Sequence, residues 1–156
     1  MGRITEGDEA PVFSLPTDSG DGFDLAKIDG PVVLFFYSKD DTPGCTKEAI
    51  GFTDQIKEFE KLGFQVIGMS PDPVKKHAKF RDKHDLKIPL VSDEEKTALE
   101  AYGVWVEKSM YGKKYMGVER TTLIINQTRQ VLRAWHKVKV PGHVDEVLAA
   151  AREIAG

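Results

Sequence analysis

Cysteine is nearly missing from this chain: 156 residues carry one, Cys45. A single thiol excludes an internal disulfide, Cys-x-x-Cys exchange chemistry and a zinc site built on several thiolates. The fold therefore owes nothing to oxidation, and a reducing cytoplasm is the expected compartment. Long apolar runs are missing too. The longest, residues 31–37 (Pro-Val-Val-Leu-Phe-Phe-Tyr), is strand-sized and far short of a bilayer span. The segment from Met1 to Asp8 has no apolar core of a signal peptide, and Glu6 stands where a myristoylation signal at Gly2 wants Ser or Thr. Neither charge dominates. Lys plus Arg number 22 against 25 Asp plus Glu, a net charge of −3 that gives no electrostatic case for nucleic acid or an anionic membrane as partner. Gly-x-Gly-x-x-Gly is absent, so no dinucleotide is implied. The residue six places after the cysteine is Gly51, where a cysteine phosphatase needs arginine. His77, His84, His136 and His143 fall at no metal-ligand spacing and read as surface residues.

What is present suits one domain over residues 1–156, with enough apolar sequence for a single core. Residues 8–15 and 23–28, separated by the turn-rich segment 17–22, predict an N-terminal β-hairpin. Residues 31–37 read as a central strand covered on both faces. From Pro43 to Leu62, apolar residues at Ala49, Phe52, Ile56, Phe59 and Leu62 keep helical spacing, with Thr42 as N-cap and Pro43 at the first helical position. Gly63 ends that helix. A strand over 64–69, a helix over 74–84 and a short strand over 86–91 follow. Ser92 predicts the cap of a helix over 93–102, with Glu95 completing a capping box. A loop around Trp105 and a turn at Gly112 lead to strands 119–126 and 130–137, then to an amphipathic helix over 143–154. Trp105 and Tyr37 read as core residues. The order βαβα, another αβ element, a hairpin and a last helix gives an α/β sandwich with a central mixed sheet flanked by helices. That arrangement resembles the thioredoxin fold.

The chemistry gathers around Cys45. A strand that empties through a short turn into a helix puts the thiol on the first helical turn, where free N–H groups and the helix dipole favour thiolate. Thr42, three residues earlier, lies on the same side and offers a hydroxyl that can donate to sulfur or accept from a substrate. Arg120, at the mouth of a core strand, is the candidate cation, although an arginine there could equally serve a surface salt bridge. Glu48, one turn into the helix, could orient an arginine, and an exposed glutamate is the simpler reading.

The stretch from Phe36 to Ala49 (Phe-Tyr-Ser-Lys-Asp-Asp-Thr-Pro-Gly-Cys-Thr-Lys-Glu-Ala) resembles the active-site segment of peroxiredoxins of the bacterioferritin comigratory protein type, also called the Q type. Gly7-Asp8-Glu9-Ala10-Pro11, Ser92-Asp93-Glu94, Tyr102-Gly103-Val104-Trp105 and Glu119-Arg120-Thr121-Thr122 are similar too, so the likeness runs through nearly the whole chain. The resemblance implies thiol-dependent reduction of hydrogen peroxide and organic hydroperoxides without metal, flavin or haem. It makes Cys45 the peroxidatic cysteine, with Thr42 and Arg120 as its helpers and Gly44, Glu48 and Ser38 around the substrate.

Two positions depart from the family pattern Pro-x-x-x-Thr-x-x-Cys and its common resolving cysteine. Ser38 stands at the proline, predicting a wetter pocket, and Ile50 stands where many members carry the second thiol. The sulfenic acid formed on Cys45 must then be resolved from outside, by a thioredoxin, a glutaredoxin, glutathione or a second copy's Cys45. A monomer or weak homodimer is expected. The rival from another class is a thioredoxin-fold redox sensor or thiol relay that reacts with peroxide but passes oxidation to a partner, and a buried structural cysteine is the third.

Overall fold

A computed structural model describes residues 3–156; the readings at Met1 and Gly2 lie outside them. Five strands form the central sheet. β3 (Val32–Phe36) lies in the middle and pairs in parallel with β4 (Gln65–Ser70), which pairs in parallel with β5 (Leu90–Ser92). On its other side β3 pairs antiparallel with β8 (Thr121–Ile125), and β8 with β9 (Val131–Trp135), so the sheet is mixed as expected. Every residue of β3 is buried because alternate side chains enter two cores. Val33, Phe35 and Tyr37 point to one, and Val32, Leu34 and Phe36 to the other.

The first core is closed by α1 (Pro43–Asp54), α2 (Ile56–Lys61), α3 (Val74–His84) and α5 (His143–Ala155). Phe35 stacks on Phe52 of α1 with ring centroids 4.7 Å apart, a contact worth about 1 kcal/mol beyond its area. It needs Gly68 beside it, because a Cβ there would come within 2.8 Å of the Phe35 ring. The second core lies under β1 (Ser14–Pro16), β2 (Gly22–Asp24) and α4 (Thr97–Ala101). β1 and β2 form the expected N-terminal hairpin, shorter than its sequence suggests, since residues 25–27 turn into a 3₁₀ helix capped by Asp24.

Three expectations are corrected. The helix expected from Pro43 to Leu62 breaks at Gln55, whose N–H turns back to Gly51 and Phe52 carbonyls, giving α1 and α2. The helix expected from residue 93 starts at Thr97. Ser92 belongs to β5 and donates to the Asp72 carbonyl, so there is no capping box; Asp93 instead accepts from the Leu99 N–H of α4. The loop expected around Trp105 is a hairpin of β6 (Trp105–Met110) and β7 (Lys113–Val118). Its two-residue turn, Tyr111-Gly112, has φ of 52° and 79°, the left-handed pair that a tight hairpin turn requires. No helix among the described residues is long and apolar enough to cross a membrane.

Candidate active site

The chain leaves β3 at Phe36, forms a loop over residues 37–42 and enters α1 at Pro43. That loop is tied down from below. Tyr37 donates its hydroxyl to Asp40 at 2.6 Å, His77 Nδ1 meets the other Asp40 oxygen at 2.7 Å, and the Asp40 N–H donates to Asp72 at 2.7 Å. His77 Nε2 donates to the Val91 carbonyl at 3.0 Å. At the rim, Asp41 adopts a left-handed φ of 61° and pairs with Lys83 at 2.6 Å and His84 at 2.8 Å. Asp40, Asp72 and His77 gather metal-type donors, but these atoms already bond one another, Ser70, Val91 and Lys76, so the cluster is an internal brace for the loop. His77 and His143 are buried, not surface residues, because each has polar partners from distant parts of the chain.

Cys45 sits on the first turn of α1 and is 1% exposed. Arg120, just ahead of β8, reaches it with Nη2 at 3.3 Å and holds Glu48 Oε1 with Nη1 at 2.7 Å. Gly44 makes room: a Cβ there would meet Arg120 Nη2 at 3.3 Å, tighter than ordinary contact. Ser38 is exposed, with its hydroxyl 3.5 Å from the sulfur. Thr42 occupies the N-cap position without capping the helix. Its hydroxyl donates to the Lys39 carbonyl at 2.9 Å. All six residues singled out in the sequence thus belong to one cluster around the sulfur.

The surroundings of the sulfur lower its pKa. Burial works against the thiolate, but the Thr42 hydroxyl, when its proton turns from the Lys39 carbonyl to the sulfur, together with Ser38, the Lys39 N–H and the Arg120 charge, outweighs it and holds the Cys45 thiol below its ordinary value. The Lys39 N–H belongs to the loop, so the loop adds a backbone donor to those anticipated at the helix start. Thr42 has one proton to give; while Lys39 holds it, the Thr42 oxygen faces the site as an acceptor.

Glu48 is fully buried, against the expectation of an exposed side chain. Burial pushes its carboxyl up to about 7, with Arg120 pulling the other way. Arg120 itself is raised: its own burial opposes the charge, but Glu48 and Cys45 more than offset that. The two partners therefore point in opposite directions, toward a neutral glutamate and a charged arginine. Arginine does not titrate in the accessible range, so Glu48 is the member that takes up the proton near neutrality. His143, behind Glu48, is the residue that sequence reasoning missed. Nothing in the local pattern separates a buried helix-start histidine from an exposed one.

The AhpC/TSA family matches residues 6–134. The chain belongs to that family. Among its relatives, Peroxiredoxin Bcp of Bacillus subtilis is 42% identical over 153 residues, covering 97% of this chain and 98% of that protein. Peroxiredoxin Bcp of Xanthomonas campestris is 46% identical over 146 residues, covering 92% of this chain and 91% of that protein. Solved structures agree. The Xanthomonas campestris bacterioferritin comigratory protein, studied for its alkyl peroxide reduction, superposes with a TM-score of 0.88 at 41% identity over 92% of both chains. A cysteine-to-serine mutant of Xylella fastidiosa PrxQ gives 0.93 at 34% identity over 100% of both. This peroxiredoxin is of the Bcp or Q type, and its single cysteine leaves it without a resolving partner.

Proposed function

We propose that this peroxiredoxin is a thiol-dependent peroxidase that reduces hydrogen peroxide and organic hydroperoxides through a one-cysteine cycle on Cys45. The observation that carries this reading is the Arg120 guanidinium 3.3 Å from the sulfur of the chain's one cysteine. A thiolate held beside a cation and hydroxyl groups is a nucleophile poised for an electrophilic oxygen.

In the first half-reaction the Cys45 thiolate attacks the terminal oxygen of ROOH along the O–O axis. A sulfur–oxygen bond forms, the O–O bond breaks, and the electron pair leaves on RO, which takes a proton to give ROH. The peroxide gains two electrons and Cys45 becomes a sulfenic acid. Thr42 accepts a hydrogen bond from the peroxide, and Arg120 stabilises charge on the oxygens as the bond parts. Ser38 donates to the sulfur, Gly44 gives the guanidinium room, and Glu48 anchors it.

In the second half-reaction an external thiol attacks the sulfenic sulfur and expels water, and a second thiol releases the Cys45 thiolate as a disulfide leaves. A thioredoxin, a glutaredoxin or glutathione fills that role in the cytoplasm, where the activity is antioxidant. The whole chain works as one domain, as a monomer or weak homodimer. Peroxide consumption with each reductant, comparing the native chain with Cys45→Ser, tests the proposal. Repeated turnover in the native chain and none in the variant is the expected result, and turnover in Cys45→Ser contradicts it.

A further inference from the structure

The two oxygens of buried Glu48 are used unequally. Oε1 accepts from Arg120 Nη1 at 2.7 Å, whereas Oε2 has no hydrogen-bond partner among the described residues. Buried polar atoms are nearly always paired, so an orphan asks for a reason. A carboxylate beside a guanidinium ordinarily closes a fork with two parallel bonds. Closing it here would take Arg120 Nη2 off the Cys45 sulfur, where it stands at 3.3 Å. Instead Oε2 faces His143 Nε2 at 3.9 Å.

His143 is built to stay there. It opens α5 after Gly142, which adopts a left-handed φ of 77°. Its Nε2 lies 2.8 Å from Thr122 Oγ1 on β8, two residues beyond Arg120. Phe52 and Trp135 meet the ring edge to face at 6.3 and 5.8 Å, and Trp135 is itself fixed by donating to Glu146 at 2.8 Å. The charged or titratable groups around Glu48 are Cys45 on its own helix, Arg120 ahead of β8 and His143 on α5, with Glu146 acting on His143.

We propose that His143 is a positioning residue for Cys45: its Nε2–H draws the free Glu48 oxygen away from the fork, so that Arg120 keeps one nitrogen on the sulfur. This rests on Cys45 being the reacting thiol. The ring acts as a neutral donor, because burial, assisted by Arg120 and opposed by Glu146, pulls the imidazole down to about 4. Thr122 Oγ1 is within hydrogen-bond distance of Nε2 at 2.8 Å, so at 3.9 Å the ring acts on Glu48 Oε2 through the partial charge on its N–H, and no proton transfer is needed.

The test is the pH dependence of Cys45 alkylation by iodoacetamide, which needs no peroxide turnover and so stands apart from the peroxidase assay. His143→Phe keeps an aromatic ring and removes the N–H. Its alkylation midpoint should move up by about one pH unit, slowing alkylation about tenfold at pH values below the native midpoint. Adding Glu48→Gln should bring the midpoint back, since a neutral amide does not pull the guanidinium into a fork; a merely structural role for His143 predicts no such rescue. His143→Gln, which keeps an N–H donor, should hold the native midpoint. A native midpoint in folded His143→Phe, no return in the double variant, or a shifted midpoint in folded His143→Gln each overturns the proposal.

Discussion

Arg120 bridges Glu48 and Cys45, giving Nη1 to the carboxylate at 2.7 Å and Nη2 to the sulfur at 3.3 Å. One planar cation serves both groups because its donors diverge in a fixed fork. An ammonium is a single point and cannot hold both positions. Arg120→Lys should therefore slow the reaction with hydrogen peroxide by about 10²–10³-fold, the cost of one lost charge-stabilising donor, and raise the Cys45 alkylation midpoint. Stopped-flow kinetics check the rate, and a loss of less than threefold would contradict the role given to the fork.

Gly44 sets how close that fork comes. A Cβ at 3.3 Å from Nη2 forces the guanidinium to give by a few tenths of an ångström. Gly44→Ala should fold with near-native stability yet lose about tenfold in peroxide rate, as small displacements of a charge-stabilising group do. Thermal melting and the rate, measured together, separate this from general damage.

Glu48 makes stability depend on pH. Its carboxyl is held up to about 7 in the folded chain, against about 4.3 for an unfolded glutamate. Between those values the folded chain binds the extra proton, so the stability from this group is full below the unfolded value and is lost as pH rises through the folded one. Glu48→Gln cannot lose it. Urea unfolding at acid and mildly alkaline pH should show the variant gaining about 1–3 kcal/mol on the native chain as pH rises across that window.

The Ser38 hydroxyl lies 3.5 Å from the sulfur. Ser38→Ala removes that bond, so the peroxide rate should fall about fivefold, the worth of about 1 kcal/mol. A rate unchanged within twofold would mean that the hydroxyl does not support the thiolate.

The site was readable in the sequence where chemistry and local backbone coincide. A fully apolar strand, Thr42-Pro43 at a helix start and Cys45 on its first turn all follow from short-range pattern. Arg120 took its place from the strand that follows it. What escaped depends on distant partners. His77 and His143 look like solvated histidines until the fold supplies Asp40, Val91 and Thr122. The hairpin of β6 and β7 escaped for another reason: much of it is solvated, so Lys108, Ser109, Lys113 and Lys114 lie in it and no clear apolar alternation marks the strands. The break at Gln55 carries neither proline nor glycine to announce it.

The most direct test of the one-cysteine cycle is the intact mass of the native chain after excess hydrogen peroxide in the absence of thiol. With no second cysteine to trap the sulfenic acid, oxidation should continue on Cys45 alone, ending as sulfinic and sulfonic acid, and Cys45→Ser should gain nothing there. A native mass that peroxide leaves unchanged would contradict the account at its centre.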